Sequence, residues 1–264
     1  MDRAGIRLIY DQDQRIDVEY PGNRREVTPH VVRLVGTGAH QDGAVIYSRL
    51  DASNADAVIH EQVEYFKHIG QSLEWKLYDY DQPPDLKERL QSHGFELEES
   101  EAIMVLDLDD APAALWQPIG HDVRLIASAD QLSVVMDVQR QVWDEDFAPL
   151  TDYLTAVLNE APDQMRIYVA YVDGKPASAA WIYFPLRSQF GSLWGGSTVS
   201  EFRSQGLYTA LLATRAQDAR LRGVRYLTVD ASPMSRPILE KFRFEMISTS
   251  WPCKWKPAST LQSD

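Results

Sequence analysis

The stretch from Arg166 to Phe184, RIYVAYVDGKPASAAWIYF, constrains the fold more than any other. It is two β-rich runs joined at Asp173-Gly174. An Asp-Gly corner suits the two positive-φ positions of a type I′ turn, so this stretch predicts an antiparallel hairpin. A third strand follows in FGSLWGGSTV (190–199), whose interior glycines mark a bulge or a close approach by another backbone or a ligand. Leu207, Leu211, Thr214 and Leu221 then recur at helical spacing and predict a helix from about 206 to 221. Upstream, VRLIA (123–127) reads as a strand. Ser128 with Gln131 reads as a capping box opening a helix to about Val142, and residues 151–159 as another helix. Downstream come the strand VRYLTVD (224–230), a short helix around 235–242 and a strand near 243–255. The second half is thus an α/β unit of the α+β type.

The first half repeats this ending in dilute form. Shifted by 149 residues, Ser48, Asp81, Pro84, Leu90, Phe95 and Glu96 fall on Ser197, Asp230, Pro233, Leu239, Phe244 and Glu245. Both halves read strand, helix, strand ending in Asp, Pro-containing turn, short helix, then Phe-Glu opening a strand. Between them LDLDDAPAALWQPIGHD (106–122) mixes acid, Pro, Ala and Gly and reads as a linker. The expected division is a domain at 1–110, a domain at 120–255 and a tail at 256–264.

Charge separates the halves. Residues 1–110 carry 23 Asp and Glu against 11 Lys and Arg, whereas residues 111–264 carry 16 against 15. The acidic half repels phosphate backbones, so nucleic acid is not an expected partner. Cys253 is the only cysteine, which excludes an internal disulfide framework and fits a reducing compartment. No apolar run reaches the length of a membrane span, and the opening residues lack the apolar core of a signal peptide, so no membrane partner and a cytoplasmic location are expected. The histidines at 30, 40, 60, 68, 93 and 121 show no metal-ligand spacing, and no metal is expected.

The corner RSQGLY (203–208) carries chemistry. A helix start leaves its first N–H groups without partners and concentrates partial positive charge there. Gly206 permits a tight entry and close approach of a phosphate oxygen, and Arg203 adds a fixed cation. Neither a Walker P-loop nor a G-x-G-x-x-G fingerprint is present.

The pair TVSEFRSQGLYTALL and LTVDASPMSRPILEKFRF resembles the GCN5-related N-acetyltransferases (GNAT), whose pyrophosphate loop reads R/Q-x-x-G-x-G/A and whose later helix often ends L-Y-x-K-x-G-F. The likeness covers roughly 122–255, and the first half resembles the degenerate partner of two-domain members. Four positions depart from the pattern: Tyr208 stands at the last small residue of the loop, Leu239 at the usual tyrosine, Arg243 at the usual glycine and Ser232 at the frequent asparagine. The resemblance implies two GNAT-like domains, each a mixed, mostly antiparallel twisted sheet flanked by helices. It implies acetyl-CoA as acyl donor and an amine as acceptor. Its pyrophosphate would lie against Arg203, Ser204, Gln205, Gly206, Leu207, Tyr208 and Thr209, with Ser232 nearby. Its pantetheine arm would pair with the strand ending Ser197-Thr198-Val199. The N–H of Val199 would face the thioester carbonyl, where one preset donor stabilises an oxyanion by about 3–4 kcal/mol.

An amine acceptor needs a base or a desolvated site. Asp144, Glu145 and Asp146 lie in the region lining the acceptor side in this family, and a solvated acidic loop is the competing reading. With Leu239 unable to donate a proton to the departing thiolate, Tyr208 and Ser235 are the candidates, and packing is the other use of Tyr208. Trp143 and Trp194 are candidate pocket walls. Two other readings stay open: a non-catalytic acyl-CoA-binding protein, and a plain scaffold using the corner only as a turn.

Overall fold

The computed structural model describes residues 2–37 and 42–257. His40 and residues 258–264 of the expected tail lie outside them. The first half opens with α1 (Arg3–Tyr10), which continues into a π-helical turn over Asp11–Ile16. Then come β1 (Asn23–Val27), β2 (Val31–Gly36), β3 (Gly43–Ser48) and α2 (Ala55–Ile69). It ends with β4 (Leu73–Tyr78), α3 (Leu86–Ser92), β5 (Glu96–Leu97) and β6 (Glu101–Asp107). The second half contains β7 (Asp122–Ile126), α4 (Leu132–Val142), α5 (Ala148–Glu160), β8 (Met165–Val172) and β9 (Lys175–Tyr183). It closes with β10 (Phe190–Thr198), α6 (Leu207–Leu221), β11 (Tyr226–Ala231), α7 (Arg236–Lys241) and β12 (Glu245–Trp255).

All the strands belong to one sheet in the order β1-β2-β3-β4-β12-β6-β11-β10-β9-β8-β7, with β5 beside β12. Among the described residues only β3–β4 and β10–β11 are parallel, so the sheet is mixed and mostly antiparallel. Each half contains strand, helix, parallel strand, short helix and return strand. The return strands are exchanged: β6 of the first half pairs with β11, and β12 of the second half pairs with β4. The two meet along the centre of the sheet.

The repeat holds by element rather than by a fixed shift. Asp230 lies inside β11, whereas Asp81 lies in the turn beyond the end of β4. The expected linker is not loose. Leu108 and Leu115 are buried against α6, and Gln217 Nε2 donates to the carbonyls of Leu115 (2.8 Å) and Gln117 (2.9 Å). Pro, Ala and Gly there mark a packed irregular segment. The hairpin turns as predicted, with φ of 49° at Asp173 and 77° at Gly174. The capping box does not form: the Ser128 side chain makes no capping bond, and Gln131 Oε1 accepts from the Ala127 N–H at 2.9 Å rather than from that of Ser128.

Helices cover both faces. On one face α6 and α7 pack on β6, β8–β11 through Leu207, Leu211, Leu227, Leu239 and Phe244. On the other, α4 and α5 pack through Val135, Leu154, Ile167 and Trp181. Beside them α1 lies over the seam, where Ile6 and Tyr10 meet Tyr78, Ile103, Phe190 and Tyr226. Among the described residues no helix is long and apolar enough to cross a membrane.

Candidate active site

The parting of β10 from β11 creates the site. The two strands pair only from Phe190–Tyr226 to Ser192–Thr228, after which β10 bends away. A bulge between Trp194 and Ser197 produces the bend. Gly195 sits there at φ 67°, and a Cβ on it would lie 1.9 Å from the Trp181 ring. No side chain fits at that position. Buried Arg215 of α6 pins the bend from below, donating to the carbonyls of Leu211 (3.1 Å), Trp181 (3.2 Å) and Trp194 (3.4 Å). Burial without a carboxylate partner lowers its pKa to about 10.

The end of β10 leads into the corner. Gly206, at φ 82°, is the residue before α6, and Ser204 also has positive φ, at 62°. Consecutive backbone N–H groups from Ser204 to Thr209 have no acceptor among the described residues. A run of such amides at a helix start is an anion cradle. The Arg203 Nε donates to the Thr198 carbonyl at 3.2 Å, which ties the exposed arginine to the end of β10. His121, which the sequence did not single out for this site, stands beside the cradle, its Nε2 3.3 Å from where a Cβ on Gly206 would be.

The expected strand-edge donors are rearranged. The Val199 N–H donates to the Ala177 carbonyl at 3.0 Å, so it is already used within the sheet. Because an antiparallel strand alternates its bonding side, the neighbouring Thr198 turns its N–H and carbonyl away from β9, toward the parting. The Ser197 carbonyl accepts from Ser178 Oγ at 2.7 Å and is likewise taken. Its side chain forms a latch: Trp143 Nε1 donates to Ser197 Oγ (2.9 Å), which donates to Gln139 Oε1 (3.0 Å). Gln139 Nε2 in turn reaches the Gly195 carbonyl at 3.4 Å. This network fixes half-exposed Trp143 on the face that also carries half-exposed Trp194.

The proton-handling candidates separate. Tyr208 is half-buried, its ring 3.2 Å from where a Cβ on Gly196 would lie, and its hydroxyl has no partner among the described residues. Burial pushes this phenol up, and the nearby Arg215 cation opposes the rise. Leu239 is fully buried in the core. Ser232 and Ser235 turn toward one another at the start of α7, with hydroxyls 3.3 Å apart. Glu145 is exposed, and Asp146 holds the start of α5 by accepting the Ala148 N–H at 2.9 Å. Asp230 forms an ion pair with Lys76 of β4, across the seam.

The first half carries the same parting with its space filled. At the start of α2, Asp51 Oδ1 accepts from the Ser53 N–H (2.7 Å), the Ser53 hydroxyl (2.6 Å) and the Asn54 N–H (3.2 Å). Those bonds hold its carboxyl below the usual range. Arg15 donates its Nε to the Ile46 carbonyl of β3 at 3.0 Å and its Nη2 to both oxygens of Asp81 at 2.9 Å. Its own carboxylate closes the helix start, and its own cation fills the parting.

Residues 118–230 match the family model described as an acetyltransferase (GNAT) domain. Similar solved structures include a GCN5-related N-acetyltransferase from Kribbella flavida, 17% identical with TM-score 0.66, covering 91% of each chain. A functionally unknown conserved protein from Staphylococcus epidermidis is 13% identical with TM-score 0.65, over 90% of this chain and 96% of the other. A tandem GNAT protein from the clavulanic acid biosynthesis pathway is 14% identical with TM-score 0.59, over 90% and 84%. At such identities the likeness is one of fold. No curated protein matches the chain.

Proposed function

We propose that this chain, whose residues 118–230 match the acetyltransferase (GNAT) domain model, transfers the acetyl group of acetyl-CoA to an amine. One observation carries the reading: the free amides of Ser204 to Thr209 lie at the helix start that follows the parted end of β10. The pyrophosphate would take those amides with Arg203, and Ser232 lies at the start of the neighbouring α7. The thioester would enter the parting between β10 and β11.

The amine lone pair attacks the acetyl carbonyl, the C–N bond forms, the C–S bond breaks with its electrons on sulfur, and the nitrogen sheds one proton to water. In this reading the Thr198 N–H replaces Val199 as the donor to the developing oxyanion. Tyr208 supplies the proton to the thiolate, with Ser235 the alternative donor. Glu145, exposed in its loop, fits a solvated role better than that of base. The first domain, residues 1–110, acts as a support that binds no cofactor.

Two observations favour a second reading, a non-catalytic acyl-CoA-binding protein: the buried Leu239 and the engaged Val199 N–H. Thiol release from acetyl-CoA with a panel of amines separates the two. Release above the rate without amine supports transfer; CoA binding by calorimetry with no release supports the second reading.

A further inference from the structure

Arg215 carries a charge that its surroundings do not balance. It is 2% exposed, and among the described residues no carboxylate pairs with it. Asp218, the next acid on α6, is taken by the Tyr168 hydroxyl (2.9 Å) and by Arg222 Nε (3.1 Å). The bonds of Arg215 run instead to the neutral carbonyls of Leu211, Trp181 and Trp194. Burying a cation without a counter-ion is costly. Holding a carbonyl needs only a neutral donor. On the other face of the sheet the Gln139 amide does this, reaching the Gly195 carbonyl of the same bulge at 3.4 Å. The positive charge of Arg215 therefore exceeds what the pin requires.

The position of that charge relates it to Tyr208. Trp194 lies just beyond Ser192, the last β10 residue paired with β11, so the guanidinium stands at the root of the parting. The bond from Nε to the Leu211 carbonyl shows the side chain running back along α6 toward the helix start. Tyr208 is two turns earlier on the same helical face. Its ring lies 3.2 Å from where a Cβ on Gly196 would be. Gly196 and Trp194 are next-but-one neighbours on β10, within about 7 Å of each other. Arg215 and Tyr208 thus stand side by side under the parted edge. Burial pushes the Tyr208 phenol up, and Arg215 acts against that rise.

We propose that Arg215 is a positioning residue for acetyl transfer, the counter-charge that lets Tyr208 give its proton to the departing thiolate. This inference rests on the acetyl-transfer reading. As the C–S bond breaks, its electron pair stays on sulfur. The phenol O–H bond then breaks, the S–H bond forms, and CoA leaves as the thiol. The phenolate left behind faces the guanidinium until water returns a proton to it, matching the one the nitrogen shed. Arg215 has no counter-ion in the resting site, so this attraction is gained only as the phenolate forms. An interaction gained only during the reaction raises the rate rather than the affinity.

Steady-state thiol release from acetyl-CoA, with the most active amine of the panel, tests this in the full chain. The variants are Arg215→Met, Arg215→Lys, Tyr208→Phe and the double variant Tyr208→Phe with Arg215→Met. Arg215→Met should lower kcat roughly tenfold, with the KM for acetyl-CoA nearly unchanged. Arg215→Lys keeps the cation and should recover most of that loss. In the Tyr208→Phe background no phenolate forms, so Arg215→Met should cost nothing further. A residue that only pins the bend would lower kcat by the same factor in both backgrounds, and Arg215→Lys would not be distinguished by its charge. Equal losses in both backgrounds overturn the proposal, as does an unchanged kcat in a folded Arg215→Met protein. If Arg215→Met does not fold, Arg215→Gln, which keeps a neutral donor for the carbonyls, takes its place and the same outcomes decide. No amine-dependent release from the wild type sinks the acetyl-transfer reading and this inference with it. Release from the wild type that the neutral variant leaves untouched sinks this inference alone.

Discussion

Two residues decide how the cradle and the chemistry are read. Gly206 is held at φ 82°, where a β-carbon costs about 1–2 kcal/mol, and His121 crowds the position. Gly206→Glu also sets a carboxylate against the free amides. It is expected to keep the fold, with a lower melting temperature, and to lose CoA binding in calorimetry; a folded variant that binds like the wild type refutes the cradle. Tyr208→Phe keeps the ring against Gly196 and removes the hydroxyl. If that hydroxyl protonates the thiolate, kcat should fall by roughly 10²-fold with CoA affinity nearly unchanged. An unchanged kcat assigns Tyr208 to packing. The glycine, the arginine and the tyrosine were legible because each changes what a backbone or a charge can do locally. The engagement of the Val199 N–H was not, since it follows from the pairing register of β10 with β9, a long-range property. Arg215 gave no signal either, as an arginine in a helix reads as exposed until the bulge above it supplies carbonyls.

Among the elements, the helices and strands of the second half follow from their periodicity, and their order was readable. The π-helical turn after α1 was not, because its purpose lies in tertiary structure: it delivers Arg15 to the parting of β3 from β4. The Arg15 side chain is 1% exposed and bonded to both Asp11 and Asp81. Removing one partner of a buried pair leaves the other charge stranded, so Arg15→Ala should cost about 3–5 kcal/mol in denaturant unfolding. Its effect on CoA affinity should be nil, because the cradle belongs to the other half. A near-neutral Arg15→Ala would mean that the parting does not depend on its plug.

For the whole molecule, the repeat predicts two sites and the side chains leave one. The Asp51 carboxylate closes the first helix start, and Arg15 fills the first parting. Calorimetry should return one CoA per chain, and a stoichiometry near two would refute the assignment. The exchange of β6 and β12 was not readable from the sequence. A return strand shows its length and its apolar face, but nothing in its residues says which half it will join.

That exchange constrains the order in which the protein can be made. During synthesis β4 emerges early, yet its neighbour β12 starts at Glu245, more than 160 residues after β4 ends at Tyr78. At ribosomal rates of about 5–20 residues per second, the nascent first half waits roughly 10–30 s with one strand edge unpaired. β6 waits as well, since β11 and β12 both follow it. The usual pattern, in which an N-terminal domain folds before the next is translated, is closed to this chain. Its first half completes its sheet only when the last strand leaves the ribosome, and until then its open edges are suited to holding by a chaperone.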